Sequence, residues 1–357
     1  MNIKSFAKIH LGKSSTNTKE YIFKTDLELT NNFRTYPFGS NRMRYQYPEM
    51  FKYELIKLEN QVYKLIVSRL KKPNCPVTAK YFWSDGWTLD LYVSNIPNLN
   101  TEEFYNKNNL ISYLPENYGN YIINVPKNFK PNIGIVVPLF GRYEYTKKFL
   151  DSLNKTELKN CILVLIDESL TKNLNEDKIK TNELIKNYNL KCPSIKIFKN
   201  KHGNMFDSFL TGCDLLEPYC DFLMNLDSDT IHKKEWVNNL INIHTELEKK
   251  YSSKPILLSG FNTINTNLHK ILEEKDNYYL KGSVGGCHLF FRKEVYNMLL
   301  RFTIISHKWD TNIFNIINKN KGIIAVSKPS VIEHIGAITS VERNNNKKNY
   351  WDKSIDF

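Results

Sequence analysis

No apolar run in the 357 residues approaches the ~20 that a membrane-spanning helix requires, so no transmembrane segment is expected. The opening MNIKSFAKIH has too short an apolar stretch for a secretory leader and runs into polar KSSTNTKE. The six cysteines (Cys75, Cys161, Cys192, Cys213, Cys220 and Cys287) show no C-x-x-C spacing. That excludes the usual zinc and thiol-exchange motifs and reads as buried free thiols in a reducing, cytoplasmic compartment. No basic helix or aromatic-basic repeat is found, so nucleic acid is not an expected partner. The net charge of +13 reads either as a solvated basic surface or as attraction for an anionic ligand such as a phosphate or nucleotide. What is present is apolar and aromatic material: 41% and 13% of residues, enough for a sizeable core. The length fits one large domain or two ordinary ones.

Two regimes follow one another along the chain. FKYELIKLENQVYKLIVSRL (51–70) holds two β-favouring runs around a polar ENQ. YFWSDGWTLDLYV (81–93) pairs aromatic-rich runs around Ser-Asp-Gly, a hairpin signal. Its aromatics Tyr81, Phe82, Trp83, Trp87 and Tyr92 suit either a small core or a sugar-stacking face. TEEFYNKNNLISYL (101–114) reads as a short helix capped by Thr101, and PKNFKPN (126–132) as a linker. Residues 1–125 are therefore expected to form a β-rich unit, 126–345 a second domain, and 346–357 a tail. In the second domain strands are expected at 133–138, 161–166, 194–198 and 221–226. Helices are expected at 143–153, 175–188, 205–216 and 233–250. Strands and helices alternating at this spacing predict a doubly wound, mostly parallel sheet, with ligands beyond the carboxyl ends of its strands.

At one such end stands FLMNLDSDTI (222–231), an apolar strand delivering Asp227 and Asp229. Two carboxylates separated by one residue repel each other unless a hard cation such as Mn2+ or Mg2+ joins them, together with substrate phosphates. A lone pair of this kind is otherwise a solvated acidic turn.

In this context the stretch from about 131 to 340 resembles a GT-A glycosyltransferase of the family-2 kind. IGIVVPLFGR (133–142) resembles the opening strand and nucleotide loop. LVLIDES (163–169) resembles the second strand, and NLDSDT (225–230) the metal motif. SVGGCHLFFRKEVY (283–296) resembles the acceptor segment, KWDTNIFNIINKNKG (308–322) the catalytic helix, and PSVIEHIG (329–336) the late strand with its histidine. The resemblance implies a nucleotide-sugar donor, by default a UDP-sugar, held by Pro138, Phe140, Arg142, Asp167, Gly203, Asp207, Asp227 and Ser228. It implies Asp227, Asp229 and His334 as metal ligands for Mn2+ or Mg2+. Asp310 is implied as the base that takes the proton of an acceptor hydroxyl, an inverting displacement. Gly285, Gly286 and Trp309 are implied at the saccharide, glycan or glycoprotein acceptor. The chain departs from the family pattern in HGNMFDSFLTG (202–212) and in having Trp309-Asp310 where paired acids are usual.

Each residue has a plainer reading. His334 also suits a structural histidine, Asp310 the N-cap of a helix over 311–320, and Arg142 a solvated loop. Gly285-Gly286 also suits a simple turn, and Trp309 a core position. Three rival functions remain in view. A haloacid-dehalogenase-like phosphatase also sets D-x-D after a strand, but on its first strand and with Thr or Val where this chain has Ile231. A sugar-phosphate nucleotidyltransferase needs a Gly-rich loop that PLFGR is not. A non-catalytic carbohydrate-binding protein on a degenerate GT-A fold would not need Asp227, Asp229, Asp310 and His334 together.

Overall fold

The computed structural model describes residues 7–11, 18–24, 29, 33–38, 51–69, 89–95, 118–126, 128–203, 205–263, 269–300, 309–336 and 353–357. The chain divides into two compact units, residues 1–115 with 301–306, and residues 116–300 with 307–357.

The first unit is antiparallel. Its strands are β1 (Ala7–Leu11), β2 (Thr18–Lys24), β3 (Phe33–Phe38), β4 (Phe51–Glu59), β5 (Val62–Arg69) and β6 (Leu89–Asn95). They form two three-stranded sheets, ordered β1-β6-β3 and β2-β5-β4. The two runs around ENQ are β4 and β5, and Gln61 turns between them at φ 63°. Tyr63 and Leu65 are buried, and the Tyr63 hydroxyl accepts the Leu29 N–H at 2.9 Å. Of the hairpin expected at 81–93 only its second arm, in β6, is described. The helix expected at 101–114 lies outside the described residues.

The second unit is built on a ten-stranded mixed sheet, ordered β14-β15-β17-β13-β16-β11-β8-β9-β10-β7. In chain order these are β7 (Tyr118–Asn124), β8 (Ile133–Leu139), β9 (Cys161–Asp167), β10 (Ser194–Lys199), β11 (Phe222–Leu226), β13 (Ile256–Ser259), β14 (Ile271–Glu274), β15 (Tyr278–Lys281), β16 (His288–Arg292) and β17 (Ile323–Ser327). A separate pair joins β12 (Thr230–His232) to β18 (Ile332–His334). The helices are α1 (Tyr143–Leu153), α2 (Glu176–Asn187), α3 (Met205–Leu216), α4 (Trp236–Lys250), α5 (Lys293–Met298) and α6 (Trp309–Lys319). Strands β8 to β11 are parallel and buried along their whole length. Central parallel strands covered on both faces carry such unbroken apolar runs. Strands β13, β14 and β17 run the same way, while β7, β15 and β16 oppose them. The mostly parallel α/β sheet and the separate antiparallel unit agree with the sequence expectation.

Side chains alternate across β8. Ile133, Ile135, Val137 and Leu139 join Phe149, Leu150 and Leu153 of α1 and Trp236, Leu240 and Ile243 of α4 in one core. Each such buried side chain contributes roughly 1.5–3 kcal/mol. On the other face α3 lies so close that a Cβ on its Gly212 would collide with Val136.

Two features place the site. The order β10-β9-β8-β11 reverses direction between β8 and β11, so the crevice of this sheet opens where those two strands end. The segment after β11 then pairs as β12 with β18, Thr230 opposite His334, which brings the end of the chain's described core back beside the crevice. Among the described residues no helix is long and apolar enough to cross a membrane.

Candidate metal and donor site

Asp227 and Asp229 leave the end of β11, and His334 ends β18. One ligand atom of each lies within 4.8 Å of the other two. The β12–β18 pairing and the Ile335 N–H donated to the Asp229 carbonyl at 2.8 Å hold this arrangement. Asp229 Oδ2 accepts Arg142 Nη1 at 2.5 Å and faces His334 Nε2 at 3.2 Å. Gly336 closes the cluster: a Cβ there would fall onto Asp229 Oδ2 and Arg142 Nη2.

The electrostatics of the two aspartates diverge. Burial, then the charge of Asp229, pushes the Asp227 carboxyl up to about 7, and its Oδ1 is sealed without a hydrogen-bond partner among the described residues. Burial also acts on Asp229, but His334 and Arg142 outweigh it and hold that carboxyl below its ordinary range. Two hard oxygens, one of them orphaned, and an imidazole nitrogen are a donor set suited to a divalent cation. The residues present fit such an ion.

The proposed base lies nearby. Asp310 sits in the first turn of α6, inside the helix instead of capping it, and its Oδ1 accepts the Thr311 N–H at 2.7 Å. A Cβ on Gly286 would lie 3.0 Å from the Asp310 Cβ. The Gly286 carbonyl accepts Asn225 Nδ2 at 2.9 Å, and the Cys287 carbonyl accepts the Asp227 N–H at 2.9 Å. One short stretch, 286–287, therefore touches both the helix with Asp310 and the loop with Asp227 and Asp229. Gly285 packs near Phe261. The Trp309 ring is 8% exposed and stacks on Phe206 at 5.1 Å, which places it in the core contact between α6 and α3.

The remaining expected residues gather at the ends of β8, β9 and β10. Pro138 is within β8 and pairs with Ile166. Phe140 follows it, with Lys178 Nζ 3.9 Å above its ring and the His202 ring at 5.1 Å. Asp167 is 1% exposed; it accepts Ser169 Oγ at 2.5 Å on one oxygen and Asn182 Nδ2 at 2.6 Å on the other. Through Ser169, which also accepts the Gly141 N–H at 2.8 Å, Asp167 anchors the PLFGR loop. Its neighbour Glu168, which the sequence did not single out, collects the groups around Gly203. It accepts Lys199 Nζ at 2.8 Å, Ser208 Oγ at 2.5 Å and the Gly203 N–H at 2.7 Å, with His202 Nδ1 at 3.3 Å. Burial would raise the Glu168 carboxyl, but Lys199 and these hydrogen bonds hold it below its ordinary range. Asp207 Oδ2 lies 3.9 Å from the same Lys199, and Ser228 is buried between the two aspartates.

A sheet of this order, with acidic residues at the carboxyl ends of its strands, is the GT-A type of α/β fold. Residues 134–323 match the model of glycosyl transferase family 2, more than half of the chain, and the chain belongs to that family. Among solved structures it is similar to the mannosyltransferase PcManGT from Pyrobaculum calidifontis, described in complex with GDP-Man and Mn2+. Identity is 9% and the TM-score 0.38, over 58% of this chain and 60% of that one. No curated protein matches the chain.

Proposed function

We propose that this chain is a metal-dependent glycosyltransferase that moves a sugar from a nucleotide-sugar to a hydroxyl of a saccharide, glycan or glycoprotein. The donor is a UDP-sugar by family analogy. The observation that carries the reading is the convergence of Asp227, Asp229 and His334 beside a segment that also packs on Asp310. Asp229, Asp227 and His334 would hold Mn2+ or Mg2+; the ion, when bound, neutralises the charge that grows on a departing nucleoside diphosphate. Phe140, Asp167, Gly203, Asp207 and Ser228, with Pro138 in the strand that carries the loop, shape the donor pocket, and Asp227 also meets the donor. Gly285 and Gly286 leave room for an acceptor, with Trp309 as the wall behind them. Asp310 takes the hydroxyl proton as the acceptor oxygen attacks the anomeric carbon, which inverts its configuration. Residues 126–345, on a sheet to which β7 also belongs, would carry this activity, with 1–115 in the separate unit.

Thermal unfolding of wild type and Asp229→Ala with UDP, GDP or CMP, each with and without Mn2+, tests the reading. A site filled at ~100 times Kd adds about 2.7 kcal/mol. A rise in Tm that needs one nucleotide plus Mn2+, and vanishes in Asp229→Ala, is expected. No rise with any nucleotide would favour a non-catalytic protein on the same fold.

A further inference from the structure

The backbone around Arg142 is pinned with unusual thoroughness for a loop. Gly141 and Arg142 both take left-handed conformations, φ 69° and 66°, a region that a side-chain-bearing residue adopts only when its surroundings enforce it. Asp177 does the enforcing: its carboxylate accepts the Arg142 N–H at 2.6 Å and the Tyr143 N–H at 2.9 Å. From this fixed base the side chain crosses from the end of β8 to the loop after β11. It passes over the Tyr145 ring, 4.6 Å from its centroid, and donates Nη1 to Asp229 Oδ2. Its Nη2 is buried and without a hydrogen-bond partner among the described residues. A buried guanidinium N–H left unmatched is costly, and points to an acceptor that arrives from outside the chain.

We propose that Arg142 is the resident counter-cation of the site. It holds Asp229 while no divalent ion is bound, competes with that ion for the carboxylate, and gives its freed guanidinium to the diphosphate when the ion arrives. The proposal rests on the metal-dependent reading above. Charge balance supports it. Asp227 and Asp229 supply two carboxylates, and Arg142 supplies one positive charge. A divalent ion added beside Arg142 leaves the cluster positive, a surplus that a diphosphate takes up through the planar fork of the guanidinium. Ion and nucleoside diphosphate therefore bind cooperatively, and each alone binds weakly. The coupling is reciprocal, since the ion strengthens the nucleotide by the factor with which the nucleotide strengthens the ion. Gly336 belongs to the device, because only a residue without Cβ lets the guanidinium lie against Asp229.

The test is a titration of the full chain with Mn2+, read by the EPR signal of the free ion, with and without UDP. Wild type, Arg142→Met and Arg142→Lys are compared, with folding checked by circular dichroism. Arg142→Met keeps the apolar stem and removes the competing charge. It is expected to bind Mn2+ alone roughly tenfold tighter than wild type, within the usual range of coupling between sites. It is also expected to lose most of the tightening that UDP gives the wild type. Arg142→Lys keeps the competing charge and is expected to bind Mn2+ alone as wild type does, but without the planar fork it loses part of the tightening that UDP gives. Folded Arg142→Met with equal or weaker Mn2+ affinity overturns the proposal, and so does undiminished UDP coupling. Should Arg142→Met not fold, Arg142→Gln supplies the same comparison. A wild type that takes up no Mn2+ under either condition defeats the metal-dependent reading itself. A wild type that binds Mn2+ alongside an unaltered variant defeats only the role of Arg142.

Discussion

Glu168 follows β9 and Asp227 follows β11, at the same edge of one sheet and with only β8 between those strands. Both carboxyls feel burial as the largest influence on their charge, yet they end on opposite sides of the ordinary carboxylate range. Around Glu168 the chain supplies what the charge needs: a buried lysine, a hydroxyl and a backbone N–H. Around Asp227 it supplies a second aspartate and leaves Oδ1 unmatched. A fully matched buried carboxylate positions its neighbours, while one with an unmatched oxygen retains a demand for positive charge that a ligand can meet. The difference separates a closed cluster from an open one among strand ends of a single sheet.

The sharpest way to break that comparison is to remove one carboxylate from the open cluster. Asp229→Ala is expected to lower kcat/KM about 10³-fold, the scale of losing a preorganised charge at a reacting centre. Its Tm changes less than that of Lys199→Met, because relief of the repulsion on Asp227 offsets the partner that Arg142 loses. The closed cluster should behave the other way. Lys199→Met leaves Glu168 buried and unpaired, with Lys199 itself wholly buried in the native state. Breaking a buried pair from one side costs about 3–5 kcal/mol, so the urea midpoint should fall sharply. Mn2+ affinity of the folded fraction should stay unchanged. A large loss of Mn2+ binding in Lys199→Met would merge the two clusters into one functional unit.

Much of this contrast was hidden in the sequence, and the reason is distance along the chain. The four parallel strands and the acids at their ends are legible because each rests on a local pattern, an apolar run followed by a polar exit. The helices at 143–153 and 205–216 coincide with those observed. The Glu168 cluster is different. Lys199 and Ser208 are 31 and 40 residues from Glu168; Lys199 meets it because β10 pairs with β9 in the register that sets Phe198 opposite Asp167, and Ser208 because α3 packs over β8 and β9. The Arg142–Asp229 pair spans 87 residues and depends on β8 and β11 being neighbours. Strands β13, β14 and β15 have four residues each, too few for a periodic signal. Gly336 lies within PSVIEHIG, but its role is steric and appears only when Asp229 and Arg142 stand beside it.

Gly336 gives a smaller effect that sharpens the open side of the comparison. Gly336→Ala puts a methyl group where the guanidinium meets the carboxylate. An ordered shift of either partner is expected to weaken Mn2+ binding in the presence of UDP by about tenfold, or about 1.4 kcal/mol. The Glu168 cluster lies outside its reach, so the urea midpoint should move little. Affinity for Mn2+ plus UDP equal to wild type would show that the close approach at Gly336 is not required.

The mildest expected effect concerns two buried histidines, His232 and His288. His232 lies between Ser152 and Thr230, at 3.3 Å and 3.1 Å, and His288 accepts the Gly260 N–H at 2.9 Å. Burial depresses both imidazoles to about 3. In the unfolded chain they titrate near 6.5. Between those values the unfolded state holds more protons than the folded state, so stability rises with pH across this window. The contribution is complete above about 6.5 and is lost progressively as pH falls toward 3. The slope is on the order of 1 kcal/mol per pH unit for each imidazole. Urea midpoints measured from pH 7 down to pH 4 should therefore fall with acid. His288→Gln keeps an acceptor for Gly260 and should flatten that slope, at a modest cost in stability at pH 7. Mn2+ should leave the histidine contribution to the slope untouched, because neither ring faces the aspartates in the contacts that hold it. An acid slope identical in wild type and His288→Gln would mean that His288 stays neutral in both states or gains its proton without unfolding. The acid sensitivity of the fold would then belong to His232 and the other titrating groups.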